Sequence, residues 1–226
     1  MSIWTCDLKS RLRGVVATGL LGLALAGCGD GFDPVGRAGG SSLTAGFDTL
    51  APVPTVRLDA GHITLRGPDG FCVDHVASHA DFVLFGNCAA LGGNGRMVAP
   101  GVILTASVRA AGPAASATPE GLQQFFLSDA GRASLANDNT ASRITLRDSG
   151  IARNALWLRL SDASLPHSLS PDLWRAIFVL RGHLVSATVL SAHDAPLDSR
   201  AGQALMTEFV AQIRQATGPV ARRATG

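Results

Sequence analysis

The residues best suited to chemistry lie close together in the stretch DHVASHAD, which holds Asp74, His75, His79 and Asp81. On a helical turn, His75 and His79 would share a face at i, i+4. That spacing suits two imidazole ligands of a zinc-type site, with a carboxylate beside them. A metal-dependent hydrolase using the Asp74–Asp81 loop is the chemistry such a site would support. A third ligand is not assigned, however, and a short connection between strands seldom holds a helix. The stretch therefore reads as a solvated polar loop, with no metal assigned. His62 and His183 each fall at the start of a strand pattern and read as half-exposed sheet residues.

Other routes to catalysis find little support. No Gly-x-Ser-x-Gly elbow occurs, and the serines of GGSS (Gly39–Ser42) fall in a segment that would not hold a nucleophile rigid. Glu120 and Glu208 are the only glutamates, and both lie in helical patterns, so no carboxylate pair for acid–base work stands out. The glycine-rich LGGNGRM leads to Pro100 rather than opening a helix, which excludes a phosphate loop. Trp157 and Trp174 read as core residues unless one of them lines a cleft. The expectation is a protein that is not an enzyme, with no catalytic residue and no cofactor.

Cys28 carries a different message. Lys9, Arg11 and Arg13 precede the apolar run Gly14–Gly27, which is too short to span a bilayer and ends in Leu25-Ala26-Gly27-Cys28. This boundary resembles the lipobox of bacterial lipoproteins. The resemblance implies cleavage before Cys28, a diacylglycerol thioether on its sulfur and N-acylation of the new terminus. Two or three acyl chains give lasting membrane attachment without a transmembrane helix. Gly29 in place of aspartate implies sorting to the periplasmic face of the outer membrane of a Gram-negative cell.

Processing also changes the charge and the cysteine count. The full chain carries a formal net charge of +2, and loss of Lys9, Arg11, Arg13 and Asp7 cancels it. Nucleic-acid binding then lacks the clustered basic residues it needs. Lys9 is the only lysine, so Schiff-base and lysine-base chemistry are excluded from the processed chain. With Cys6 discarded and Cys28 lipidated, Cys72 and Cys88 remain. Export to an oxidising compartment favours a disulfide between them over two separate buried thiols.

The elements follow from periodicity. Residues 1–27 form the signal peptide, and 28–54, rich in Gly, Ser, Pro and Asp, a flexible tether. A globular domain spans 55–217, and 218–226 form a disordered tail. Val56/Leu58 and Ile63/Leu65 alternate with polar residues around an Asp59-Ala-Gly61 turn. FCVD forms a short strand before the polar loop, and FVLFGNCA and Val102–Val108 form two more. Thr118 caps a helix with Pro119 in its first position and Glu120 at its positive end; its apolar stripe breaks near Gly131. Strands over Arg143–Arg147, Asn154–Leu160, Leu173–Leu180 and His183–Leu190 come next, the last two joined through Arg181-Gly182. Asp198 caps a final helix whose apolar face carries Ala201, Leu205, Met206, Phe209, Val210 and Ile213. The expected class is α+β, an antiparallel sheet with helices packed on one face.

This order of elements is similar to that of PsbP-like domains, several of which are bacterial lipoproteins. The segments PDGFCVD, FVLFGNCA, FFLSDAGRASL and LSPDLWRAIFVLRGHLVSATV also resemble uncharacterised alphaproteobacterial lipoproteins, a family with no known activity to transfer. The functional expectation is a lipid-anchored module for contact with an envelope protein. The alternatives are a carrier of a small apolar ligand held between sheet and final helix, or the hydrolase above.

Overall fold

A computed structural model describes residues 51–58, 62–112 and 118–218. The expected signal peptide, Cys28, most of the expected tether and most of the expected C-terminal tail lie outside the described residues. The class is α+β, built on a seven-stranded antiparallel sheet. In chain order the elements are β1 (Thr55–Leu58), β2 (Ile63–Arg66), β3 (Phe71–His79), β4 (Phe82–Asn87), β5 (Val102–Ala110), α1 (Pro119–Leu127), α2 (Asp129–Leu135), β6 (Ile144–Ala152), β7 (Ala155–Asp162), β8 (Asp172–Leu180), β9 (His183–Ser191) and α3 (Ser199–Thr217). The large sheet has the order β3-β4-β5-β9-β8-β7-β6, and β1–β2 form a separate hairpin.

Turn and cap chemistry accounts for the boundaries. Arg181 and Gly182 both have positive φ, at 50° and 75°, which matches the right-handed twist of the strands they join. The Thr118 side chain accepts the Gly121 N–H at 3.2 Å, and Pro119 follows without a donor to satisfy. Ser128 closes α1 and opens α2: its N–H donates to Phe125 O, and its Oγ accepts from Gly131 N at 3.1 Å. At α3, the Asp198 carboxylate accepts from both Arg200 N and Ala201 N.

The helices divide between the two faces of the sheet, where the sequence led us to expect one. Trp174, Ala176 and Phe178 of β8 point to the α3 side and join Val185, Ala187 and Val189 of β9 with Met206, Phe209, Val210 and Ile213. Leu173 and Ile177 of the same strand point the other way. There they meet Leu156, Leu158 and Leu160 of β7 with Leu122, Phe126 and Leu135 of α1 and α2. A strand apolar on both faces needs cover on both. The second layer is pinned by Arg175, whose Nε donates to Thr188 Oγ1 and whose Nη1 donates to Leu135 O at the end of α2. Burial lowers the Arg175 pKa from its usual value, and Asp162 pulls it upward.

The expected buried face of α3 is present, with one addition. Gly202 is buried, and a Cβ there would stand 2.6 Å from the Trp174 ring. Its lack of a side chain lets the first turn of α3 lie on the indole. Gly202→Ala is expected to lower stability by about 1–3 kcal/mol through overpacking, although alanine is the better helix former. Chemical denaturation measures this; a stabilised variant would mean the helix stands off the ring.

The β1–β2 hairpin is held by three neighbours. Gly67 N donates to Pro54 O and Val73 N to Val53 O, so the chain is docked by Val53. Thr217 Oγ1 exchanges hydrogen bonds with Thr64 N and O, tying β2 to the end of α3. Arg181 reaches from the β8–β9 turn to His62 O at 3.1 Å and Thr217 O at 2.7 Å.

Candidate functional site

The histidine stretch is not a loop. Strand β3 continues through it to His79, with a register shift between Asp74 and His79. Asp74 Oδ1 accepts the amides of Val76 and Ala77 at 2.9 and 3.0 Å, capturing backbone that would otherwise join the ladder. The helical turn needed to bring His75 and His79 together is absent. His79 instead stacks on Phe82 and bonds Asp81 at 3.1 Å, while Asp81 faces Arg109 at 3.7 Å. No three His, Cys, Asp or Glu side chains among the described residues converge as metal ligands.

Cys72 and Cys88 form a disulfide, with Cα atoms 4.8 Å apart. Cys72 lies in β3 and Cys88 just beyond β4, where its N–H donates to Gly70 O. The bridge closes the open end of the β3–β4 hairpin, and is the pairing expected over two separate thiols.

Trp157 and Trp174 border a cavity of about 290 Å³ on the α3 side of β6, β7 and β8. Trp174 is buried and Trp157 half-buried. The strand register explains the neighbours. Asp148, Arg159 and Trp174 stand opposite one another across β6, β7 and β8, and Gly150, Trp157 and Ala176 form the next row. Directly paired residues share a face of the sheet, so these rows make one wall. Gln203, Met206 and Thr207 of α3 supply the other.

The polar groups of the wall are unequally satisfied. Trp157 Nε1 donates to Ala152 O at 3.0 Å. Asp148 Oδ1 accepts the Ser149 amide at 2.8 Å. Arg214 of α3 lies over the Phe178 ring and donates to the carbonyls of Arg153 and Asn154, fixing the β6–β7 turn at the rim. Burial lowers the Arg214 pKa, and the charge of Arg153 lowers it further. Arg159 sits 5.8 Å from the centre of the Trp174 ring. Its Nε is buried with no hydrogen-bond partner, and the guanidinium forms no ion pair among the described residues. The strand pattern places Trp157 and Trp174; Arg159, Gly150 and Gly202 carry no motif that reveals the cavity.

A second surface feature lies at the same margin of the sheet. Strand β6 ends the strand order and, among the described residues, has no strand on its outer side. Phe125 and Leu127 of the adjacent α1 are 46% and 51% exposed, and Ile151 of β6 is 38% exposed. Leu127 shares a shallow depression with Ile144 and Leu146.

Fold and site together define an α+β domain with a covered sheet, one free apolar margin and a small cavity beside its last helix. No family model and no curated protein matches the chain. Among solved structures it is similar to the solution structure of cyanobacterial PsbP (CyanoP) from Synechocystis sp. PCC 6803. The TM-score is 0.40 at 13% identity, covering 80% of this chain and 98% of that one. That likeness is weak.

Proposed function

We propose that the chain is a lipid-anchored contact module of the bacterial envelope, held through Cys28 at the periplasmic face of the outer membrane and without catalytic activity. The lipobox-like Leu25–Cys28 supports the anchor, the disulfide fits an oxidising compartment, and the β6 margin carries the contact reading. An unpaired edge strand flanked by Phe125, Leu127 and Ile151 suits an extended apolar segment of an envelope protein, which would add a strand and seat its side chains beside α1. A second reading, a small-ligand carrier, is favoured by the cavity between the sheet and α3. Its partly polar lining points to an amphipathic ligand rather than a purely apolar one.

Membrane fractionation with palmitate labelling and crosslinking tests the main reading. The unaltered chain should sediment with membranes, carry label and crosslink to a partner. Cys28→Ser should lose label and membrane association. The pair Phe125→Ser and Leu127→Ser should keep both and lose the crosslink. Unchanged membrane association in Cys28→Ser would refute the anchor, and an unchanged crosslink in the paired variant would refute the contact surface.

A further inference from the structure

The cavity beside α3 has a chemistry of its own, and its ligand can be read from its wall. Arg159 is the unanswered group: a guanidinium positioned on Trp174, with a buried Nε and no acceptor among the described residues. A guanidinium in such a place is a ready partner for an oxyanion, which it can grip through two parallel N–H bonds. Asp148 stands opposite it in the register but makes no ion pair with it. Arg153 and Arg159 against Asp148 leave the lining with one net positive charge, which complements a monoanion.

The second half of the ligand is set by Trp157. Its Nε1 is already bonded to Ala152 O, so the indole offers the cavity a ring rather than a donor. Gly150 stands opposite it in the register, and a Cβ added there would meet nothing within 4 Å. The space beside the indole is thus open floor. At about 290 Å³ the cavity is at the small end for ligand sites and suits a single ring with a short arm.

We propose that this cavity binds a small ring-bearing carboxylate, with the Arg159 guanidinium taking the carboxylate and the Trp157 indole carrying the ring. The inference rests on the carrier reading and names the ligand class for it. Gln203 and Thr207 of α3, both exposed, add polar side chains to the lining.

Calorimetric titration of the full-length chain in detergent, with phenylacetate, phenylacetamide and acetate as probes, tests the assignment. Phenylacetate should bind at least about tenfold more tightly than the amide, because only the anion gains the charge-assisted bonds. Acetate should not bind detectably at the same concentrations. Arg159→Gln should erase the preference for the anion while leaving the amide's affinity unchanged. Gly150→Leu, whose Cβ enters open space, should abolish binding of both ring ligands without lowering Tm. Equal binding of acid and amide, or a preference surviving in Arg159→Gln, would overturn the ligand class while leaving the carrier reading standing. Binding undisturbed by Gly150→Leu would place the ligand elsewhere and overturn the site. No binding of any probe at millimolar concentration would overturn both the class and the carrier reading.

Discussion

Replacing Phe209 with aspartate is expected to remove at least about 4 kcal/mol of stability, enough to leave much of the protein unfolded at ordinary temperature. Phe209 is fully buried and meets Phe85 edge to face, with ring centres 5.4 Å apart, so it joins α3 to the β4 side of the sheet. The substitution both deletes the ring and strands a carboxylate among buried apolar side chains. Ala211, two residues on, is exposed, and Ala211→Asp should stay within about 1 kcal/mol of the parent, the difference in helix propensity. Gln212, which the sequence pattern also turns to solvent, is half-buried and a poorer control. Urea unfolding followed by circular dichroism reads both variants. Similar losses at 209 and 211 would mean that α3 presents a different face.

The second large effect concerns the disulfide. Reduction, or the paired substitution Cys72→Ala and Cys88→Ala, should lower stability by roughly 3 kcal/mol, since the bridge joins residues 16 apart and restricts the unfolded chain. For a domain of this size that is a fall in Tm of about 6–12 °C. The β-sheet signal should survive, because the β3–β4 ladder and the Cys88 N–H to Gly70 O bond do not depend on the sulfurs. Melting curves with and without reductant decide it. An unchanged Tm would refute the stabilising role, and loss of the sheet signal would show that the hairpin cannot pair without its bridge.

Sequence periodicity carried most elements because their local and tertiary preferences agree. The Thr118 cap, the Arg181-Gly182 turn and the apolar face of α3 all lie where their residue types place them. Three features escape a linear reading for physical reasons. The end of β3 is polar and contains an aspartate that captures its own backbone, so the alternation fades although the strand continues. The two-sided core was written in β7 and β8, where Leu156, Leu158 and Leu160 face one way and Trp157 the other. An apolar run of that kind signals cover on both faces. The cavity was least visible. Glycines at 150 and 202 look like breakers in a linear reading; strand register shows that the first leaves space beside Trp157, and only the packing of α3 shows that the second admits the helix onto Trp174.

The docking of Val53 and Pro54 has a mechanical consequence. A pull on the chain from its N-terminal side enters the fold at the Val53–Val73 and Pro54–Gly67 bonds. From there one load path runs into β3 at the residue next to Cys72, where the disulfide braces β3 against the chain just beyond β4. The other runs through β2 to Thr217 and Arg181, and so into α3 and the β8–β9 turn. Tension is thereby shared between the far margin of the sheet and the longest helix. The β6 edge and the Trp157 cavity lie at the opposite margin, away from the point where force arrives.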